Sequence, residues 1–296
     1  MAYNEDFELV EALEPTVQRL MGEHRERRKH WYFHELVPWE EGRSFTKEPW
    51  EESQATINER ARTSLVLNLL TEDNLPYYHT LLNRFMPQGS AWQEWTRLWT
   101  AEEGQHAIAI RSYLLTTRNC DPVELEDDRM ATMTAGYFPD FRRPAELFAY
   151  TAAQELATRV SHRNTGKITE DEVAFELMRN IAADENHHFM FYKGVMQRMV
   201  ELSPGIALEG ILQTMRNFQM PGIGIPGFVR RSIDIAKAGV YSLRVHHDNV
   251  LLPLLKQWAI PDLKGLDAKA SELQEALLAL PAEIIRRAER FEARFA

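Results

Sequence analysis

The chain has 296 residues, of which 44% are apolar and 10% aromatic, enough to bury a large core and too many for wholesale disorder. Its net charge of −10 argues against a general nucleic-acid binder, and its single cysteine, Cys120, excludes an internal disulfide framework and suits a reducing compartment. Met1 to Glu14 is acidic and lacks the apolar run of a secretory leader, and no window reaches about 18 consecutive apolar residues, so a cytoplasmic protein without a transmembrane segment is expected.

Proline and glycine cluster, and the stretches between the clusters read as helix. Glu5 to Lys29 is charged and helix-favouring. Trp31 to Ser53, with Pro38, Gly42 and Pro49, reads as an extended arm. Glu59 to Phe85 is a predicted helix kinked at Pro76, and Ala91 to Thr117 is a tryptophan-rich one. Asp121 is placed to cap the next helix, with Pro122 at its first position. Pro144 opens a helix to about Asn164. Thr169, with Glu172 three residues on, has the capping-box pattern for a helix to about Leu202, and Ser203-Pro204 opens another. Met220 to Gly227 holds two prolines and three glycines and is the clearest loop. Phe228 to Trp258 and Leu266 to Phe295 are helical, the latter broken at Pro281. No period-two strand run stands out, so the fold class is all-α. One domain over 1–296 is expected, with an N-terminal arm to residue 54, core helices over 59–202 and C-terminal helices over 228–295.

Two Glu-x-x-His pairs occur, Glu103 with His106 and Glu185 with His188. Residues three apart share a helix face, so each pair can grip one ion. A chain of this composition meets the pattern about once by chance, so the pairs alone say little. Their setting says more. Trp92, Trp95, Trp99, Glu103, His106, Ile110 and Leu114 form one stripe at helical spacing; Ile181, Glu185, His188, Tyr192, Val195 and Met199 form another. An ionised carboxylate in the middle of such a stripe is costly unless a metal ion or a partner compensates it.

A repeat strengthens this reading. Glu72 precedes Glu103 by 31 residues, and Glu155 precedes Glu185 by 30. The blocks Glu102-Glu103-Gly104-Gln105-His106 and Asp184-Glu185-Asn186-His187-His188 correspond. Four carboxylates and two imidazoles on four helices are the donor set of di-iron and di-manganese bundles, and such donors suit Fe(II). Any one of these glutamates alone reads as a solvated helix residue; all six residues on buried faces of a repeat read as a metal site. A rival register, Asp184 with His187, lies on a mostly polar face with Asn180 and Arg198, so Glu185 and His188 are the predicted ligands.

The stretch Trp95-Thr96-Arg97-Leu98-Trp99-Thr100-Ala101-Glu102-Glu103-Gly104-Gln105-His106 is joined by four others. They are Thr71-Glu72 through Leu75-Pro76, Gln154-Glu155-Leu156-Ala157-Thr158, Ser161-His162-Arg163-Asn164-Thr165, and Ala182-Ala183-Asp184-Glu185. Together they resemble the soluble acyl-carrier-protein desaturases of the stearoyl desaturase type, over about Lys29 to Arg294. The resemblance implies a ferritin-like helical bundle with a four-helix core, a homodimer, and two iron ions (Fe2+) held by Glu72, Glu103, His106, Glu155, Glu185 and His188. It implies an acyl chain delivered on acyl carrier protein and electrons from a ferredoxin-type donor. It further implies Thr158 as a proton relay on the oxygen-binding side, Asp184 as the acid orienting a ligand histidine, and Trp31 on an electron path through Asp184. On the residues alone, Thr158 reads equally as a helix threonine bonding its own backbone, and Trp31 as packing. Glu102, pseudo-symmetric to Asp184, is placed to serve the other histidine. Asn186-His187 stands where plant members carry a basic pair, the Met220–Gly227 loop is distinctive, and no transit segment precedes the core, which points to a bacterial member.

The reaction implied is O2-dependent insertion of a cis double bond into a carrier-bound fatty acyl chain. An apolar tunnel beside the ligand helices is expected, with Leu81, Phe85 and Met86 as lining or as ordinary core. An acidic carrier needs basic charge to dock, and Arg25, Arg27, Arg28 and Lys29 form the densest basic run, which reads equally as a solvated helix face. A ribonucleotide reductase small subunit wants a tyrosine where Ile110 stands, and a ferritin-like iron store needs no long C-terminal helices. The alternative that uses the same ligands is a di-iron hydroxylase or N-oxygenase acting on another carrier-bound substrate.

Overall fold

The structure is a computed structural model that describes residues 2–222 and 224–294; the predicted helix end at Phe295 lies outside them. Among the described residues there are helices and short 3-10 turns and no strand. The helices are α1 (Ala2–Ala12), α2 (Glu14–Arg27), α3 (Glu59–Glu72), α4 (Leu75–Asn83), α5 (Ala91–Thr116), α6 (Pro122–Ala135), α7 (Pro144–Ile168), α8 (Glu172–Leu202), α9 (Pro204–Asn217), α10 (Phe228–Lys237), α11 (Leu243–His246), α12 (Leu252–Gln257) and α13 (Ala268–Glu292). A π-helical turn, His247–Leu251, joins α11 to α12. No described helix is long and apolar enough to cross a membrane.

Local chemistry sets most boundaries. Asp121 caps α6 as expected, its carboxylate accepting from the Val123 and Glu124 amides. The cap of α8 is Asp171 and not Thr169: the Asp171 side chain accepts from the Ala174 amide at 2.7 Å. Thr169 instead closes α7, donating its hydroxyl to the Gly166 carbonyl. Aspartate caps at least as well as threonine, so α7 runs on to Ile168 and the turn shortens.

The predicted kink at Pro76 is a full break two residues earlier. A proline ring clashes with the carbonyl four residues back, here that of Glu72. Thus α3 ends at Glu72, and Pro76 sits in the first turn of α4, where no amide is needed. The stretch from Phe228 is not one helix either. Gly239, at φ 75°, takes the left-handed turn that ends α10, and the Ser242 hydroxyl accepts from the Val245 amide to start α11. Conversely, α13 continues through Pro281, because burial of Leu277, Leu280, Ile284 and Ala288 along one face outweighs the lost hydrogen bond.

The central bundle is α3, α5, α7 and α8, with α7 and α8 paired along their length. On one side α2 crosses α5 and α8. On the other, α9 packs on α7, α13 packs on α9, and α10 lies over α3. Gly210 lets α9 approach α7 closely: a Cβ there would fall 2.6 Å from that of Ala145. Aromatic stacking fixes the end of the bundle, with Trp92 on Phe148 at 4.7 Å and Trp95 on Phe191 at 3.5 Å between ring centroids.

Candidate metal centre

Each central helix turns at least one chemically active side chain to the bundle axis. Glu72 ends α3, Glu103 and His106 lie on α5, Glu155 on α7, and Glu185 and His188 on α8; all six are buried. Their donor atoms fall into two groups, Glu72-Glu103-His106-Glu185 and Glu103-Glu155-Glu185-His188, with the atoms of each within 4.8 Å of one another. Glu103 and Glu185 belong to both. The Nδ1 of His106 lies 3.1 Å from Glu103 Oε2, 3.6 Å from Glu185 Oε1 and 3.8 Å from Glu72 Oε2. The Nδ1 of His188 lies 2.8 Å from Glu103 Oε1, 3.7 Å from Glu155 Oε2 and 3.8 Å from Glu185 Oε2. Each imidazole therefore faces three carboxylates from three helices. His188 Nδ1 and Glu155 Oε2 are buried without a hydrogen-bond partner. Orphaned donor atoms aimed at a common point suit a metal centre.

Four carboxylates this close do not all ionise without a cation. Burial and then the charge of Glu185 push Glu103 up and Glu155 far up, while hydrogen bonds from His162 and His188 overcome burial to hold Glu185 far down. Burial opposes charge on His106 and His188, but Glu103 and the hydrogen bonds from the surrounding carboxylates together outweigh it and raise both well above the ordinary imidazole range. These shifts favour proton uptake by the metal-free site, and its ligands must be deprotonated to bind a metal, so affinity is expected to rise with pH, with proton release on loading. Titration calorimetry in buffers of different ionisation enthalpy measures this; a heat independent of buffer contradicts it.

Two outer carboxylates hold the far sides of the imidazoles. Asp184 Oδ2 lies 3.3 Å from His106 Nε2 and accepts from Trp31 Nε1 at 2.9 Å; Arg28 adds a fork, Nε to Oδ1 and Nη2 to Oδ2, both at 2.9 Å. Trp31 also stacks on His106, with centroids 6.5 Å apart. Glu102 accepts from His188 Nε2 at 2.9 Å and from His24 Nε2 at 2.9 Å. Burial pushes Glu102 up, but these two histidines outweigh it and hold it at about 2. Such bonds hold a proton on Nε2, so that Nδ1 is the nitrogen that faces the carboxylates and is freed when a metal binds. Thr158 is buried one turn past Glu155, and its hydroxyl donates back to the Gln154 and Glu155 carbonyls. His187, of the rival register, is absent from both groups.

Several residues of the site escape the sequence reading. His162, two turns beyond Glu155 on the same face, lies 2.9 Å from Glu72 Oε1 and 3.3 Å from Glu185 Oε1, and their bonds overcome burial to raise it to about 9. Its spacing from Glu155 was the available signal. Trp99 donates to Glu155 Oε1 at 3.0 Å. His24 lies on α2 and Arg28 just past its end, both outside the repeat. Of the basic run, Arg28 is buried on Asp184, while Arg25, Arg27 and Lys29 are exposed, Arg25 paired with Glu94 and Arg27 3.5 Å from Glu23.

An apolar cavity of about 420 Å³ is lined by Asn68 and Thr71 of α3, Ser161 of α7, Phe228 and Ile235 of α10, and Tyr241. Leu81, Phe85 and Met86 pack against the main core and do not line it.

A sequence model of the family described as fatty acid desaturase matches residues 5–296. A Mycobacterium tuberculosis protein described as an acyl-[acyl-carrier-protein] desaturase, DesA1, is 38% identical over 298 residues, covering 97% of this chain and 88% of that one. The chloroplastic stearoyl-[acyl-carrier-protein] 9-desaturase 6 of Arabidopsis thaliana is 31% identical over 261 residues, covering 82% of this chain and 66% of its own. An X-ray structure of a protein described as an acyl-ACP desaturase, DesA2 of Mycobacterium tuberculosis H37Rv, matches with a TM-score of 0.68 at 24% identity, over 90% of this chain and 98% of that one, which is a likeness of fold.

Proposed function

The chain belongs to the fatty acid desaturase family, and from that premise we propose that it is a di-iron enzyme that uses O2 to insert a cis double bond into a fatty acyl chain carried on acyl carrier protein. The observation that carries the proposal is the sharing of Glu103 and Glu185 between two buried four-residue groups, each with one inward-facing imidazole nitrogen. In this reading Glu72 and His106 would help hold one iron position, Glu155 and His188 the other, and Glu103 and Glu185, common to both groups, would serve both. Iron held there supplies the oxidising power that an unactivated C–H bond demands, from O2 and external electrons.

The protein's own tasks follow from the geometry. Asp184 and Glu102 lock the tautomers of the two ligand histidines. Trp31, half-buried, joins the outer surface to Asp184 and His106, and is the proposed entry for electrons from a ferredoxin-type donor. Thr158 holds a hydroxyl proton on the Glu155 face, poised to turn from its backbone acceptors and serve the reaction. The apolar cavity, whose lining includes Thr71 and Ser161, next in sequence to Glu72 and His162, is the proposed berth for the acyl chain. Arg216 and Arg287, exposed at the cavity's rim, offer basic charge to the acidic carrier beside the exposed Arg25, Arg27 and Lys29. The homodimer is carried over with the family.

Product analysis tests the proposal. Iron-loaded, reduced protein is given acyl carrier substrates and O2, and the acyl products are weighed by mass spectrometry. Loss of two hydrogens is expected. Gain of one oxygen atom would instead favour a hydroxylase, and an unchanged substrate overturns both.

A further inference from the structure

The two outer carboxylates are secured very differently. Asp184 takes the Arg28 fork and the Trp31 indole, three donors at 2.9 Å besides His106. Glu102 has one close partner besides His188: the Nε2 of His24, 2.9 Å from Oε2 and 3.1 Å from Oε1. The next cation, Arg28 Nε, is 3.5 Å from Glu102 Oε1 and is already turned to Asp184. His24 is 5% exposed, edge-on to Trp95 at 5.0 Å and nearly parallel to His188 at 5.8 Å. Since Glu102 is an acceptor only, the His24 Nε2 is the donor, as is the Nε2 of His188.

We infer that His24 is a positioning residue for the His188 half of the site, acting through Glu102, and that it makes the two metal positions unequal. The inference rests on the metal-site reading above. The Glu72/His106 position is backed by Arg28 and Trp31 together, so Asp184 keeps a donor when either is lost, although losing Arg28 costs folding stability. The Glu155/His188 position has His24 as the one hydrogen-bond donor to Glu102 besides His188, with Arg28 3.5 Å away and turned to Asp184. Without His24, Glu102 is left as a buried carboxylate with one cation at 3.5 Å, free to swing from His188, and the His188 ring loses the partner that holds its proton on Nε2. One half of a symmetric repeat thus depends on a helix, α2, that the repeat does not contain.

The test is an anaerobic titration of the metal-free chain with Co(II) alone, whose visible absorption reports each position as it fills. Wild type is expected to take up two ions. His24→Phe keeps an aromatic ring between Trp95 and His188 but removes the donor; affinity at one position is expected to fall about 10–100-fold, and at the other to stay within about twofold. His24→Gln, which restores an N–H donor, recovers part of the loss. In a Glu102→Gln background, His24→Phe adds little, because the two act as one unit. Equal weakening of both positions, no weakening of either, or full additivity with Glu102→Gln overturns the inference. Should His24→Phe fail to fold, His24→Asn, too short to reach Glu102, makes the same distinction. Absence of Co(II) uptake by wild type would instead overturn the metal-site reading itself.

Discussion

Glu103→Gln is expected to cost the protein both metal ions, whereas Glu72→Gln costs it one. The two oxygens of Glu103 face different imidazoles, Oε1 at 2.8 Å from His188 Nδ1 and Oε2 at 3.1 Å from His106 Nδ1. A glutamine there removes the negative charge from both positions and turns an amide donor toward one of these nitrogens. Glu72 belongs to one group only. Removing a partner one step further out already costs about 10–100-fold in affinity, so losing a bridging carboxylate should exceed about 100-fold at both positions. The metal-free fold should also suffer. Burial and then Glu185 push Glu103 up, but Glu103 is the chief favourable charge on both His106 and His188, so removing it leaves two buried imidazoles short of a counter-charge. Metal-free Glu103→Gln should therefore melt below the wild-type temperature while failing to load. Elemental analysis after reconstitution, run beside thermal melting, measures both. A Glu103→Gln protein that retains one ion tightly contradicts the shared-ligand reading.

Arg28→Met should have the largest effect on folding. The Arg28 side chain is 6% exposed and lies between two buried anions, 2.9 Å from both Asp184 oxygens and 3.5 Å from Glu102. Burial pushes Asp184 up, but His106 and then Arg28 outweigh it and hold it far below the usual carboxylate range. Removing one partner of a buried ion pair leaves the other charge uncompensated, at a cost of about 3–5 kcal/mol. Arg28→Lys keeps the charge but not the fork and should lose less. Denaturant unfolding of the metal-free protein reads the difference. A loss below about 1 kcal/mol, the value for a solvated surface pair, contradicts this placement of Arg28.

These two cases mark what the sequence carries and what it does not. The convergence of the six buried residues was legible because each helix imposes a period: Glu-x-x-His puts two side chains on one face, and apolar neighbours on that face declare it buried. Asp184 and Glu102 were legible because they sit beside the donors in corresponding blocks. His24 was not. It lies on a highly charged helix and meets Glu102 across 78 residues of sequence, a pairing that no local period encodes. Arg28 was visible as charge, but composition shows charge without showing burial. The helix ends that differed share a cause. Competing caps such as Thr169 and Asp171 lie within two residues of each other, and a proline acts on the carbonyl four residues back, so the break falls at Glu72 and not at Pro76.

The central claim, that Glu72, Glu103, His106, Glu155, Glu185 and His188 together hold an iron pair, is tested most directly by the iron content of the purified and reconstituted protein. The account predicts about two iron ions per chain, lost from Glu103→Gln. A wild-type chain that carries no iron and takes none up on anaerobic reconstitution with Fe(II) would contradict it.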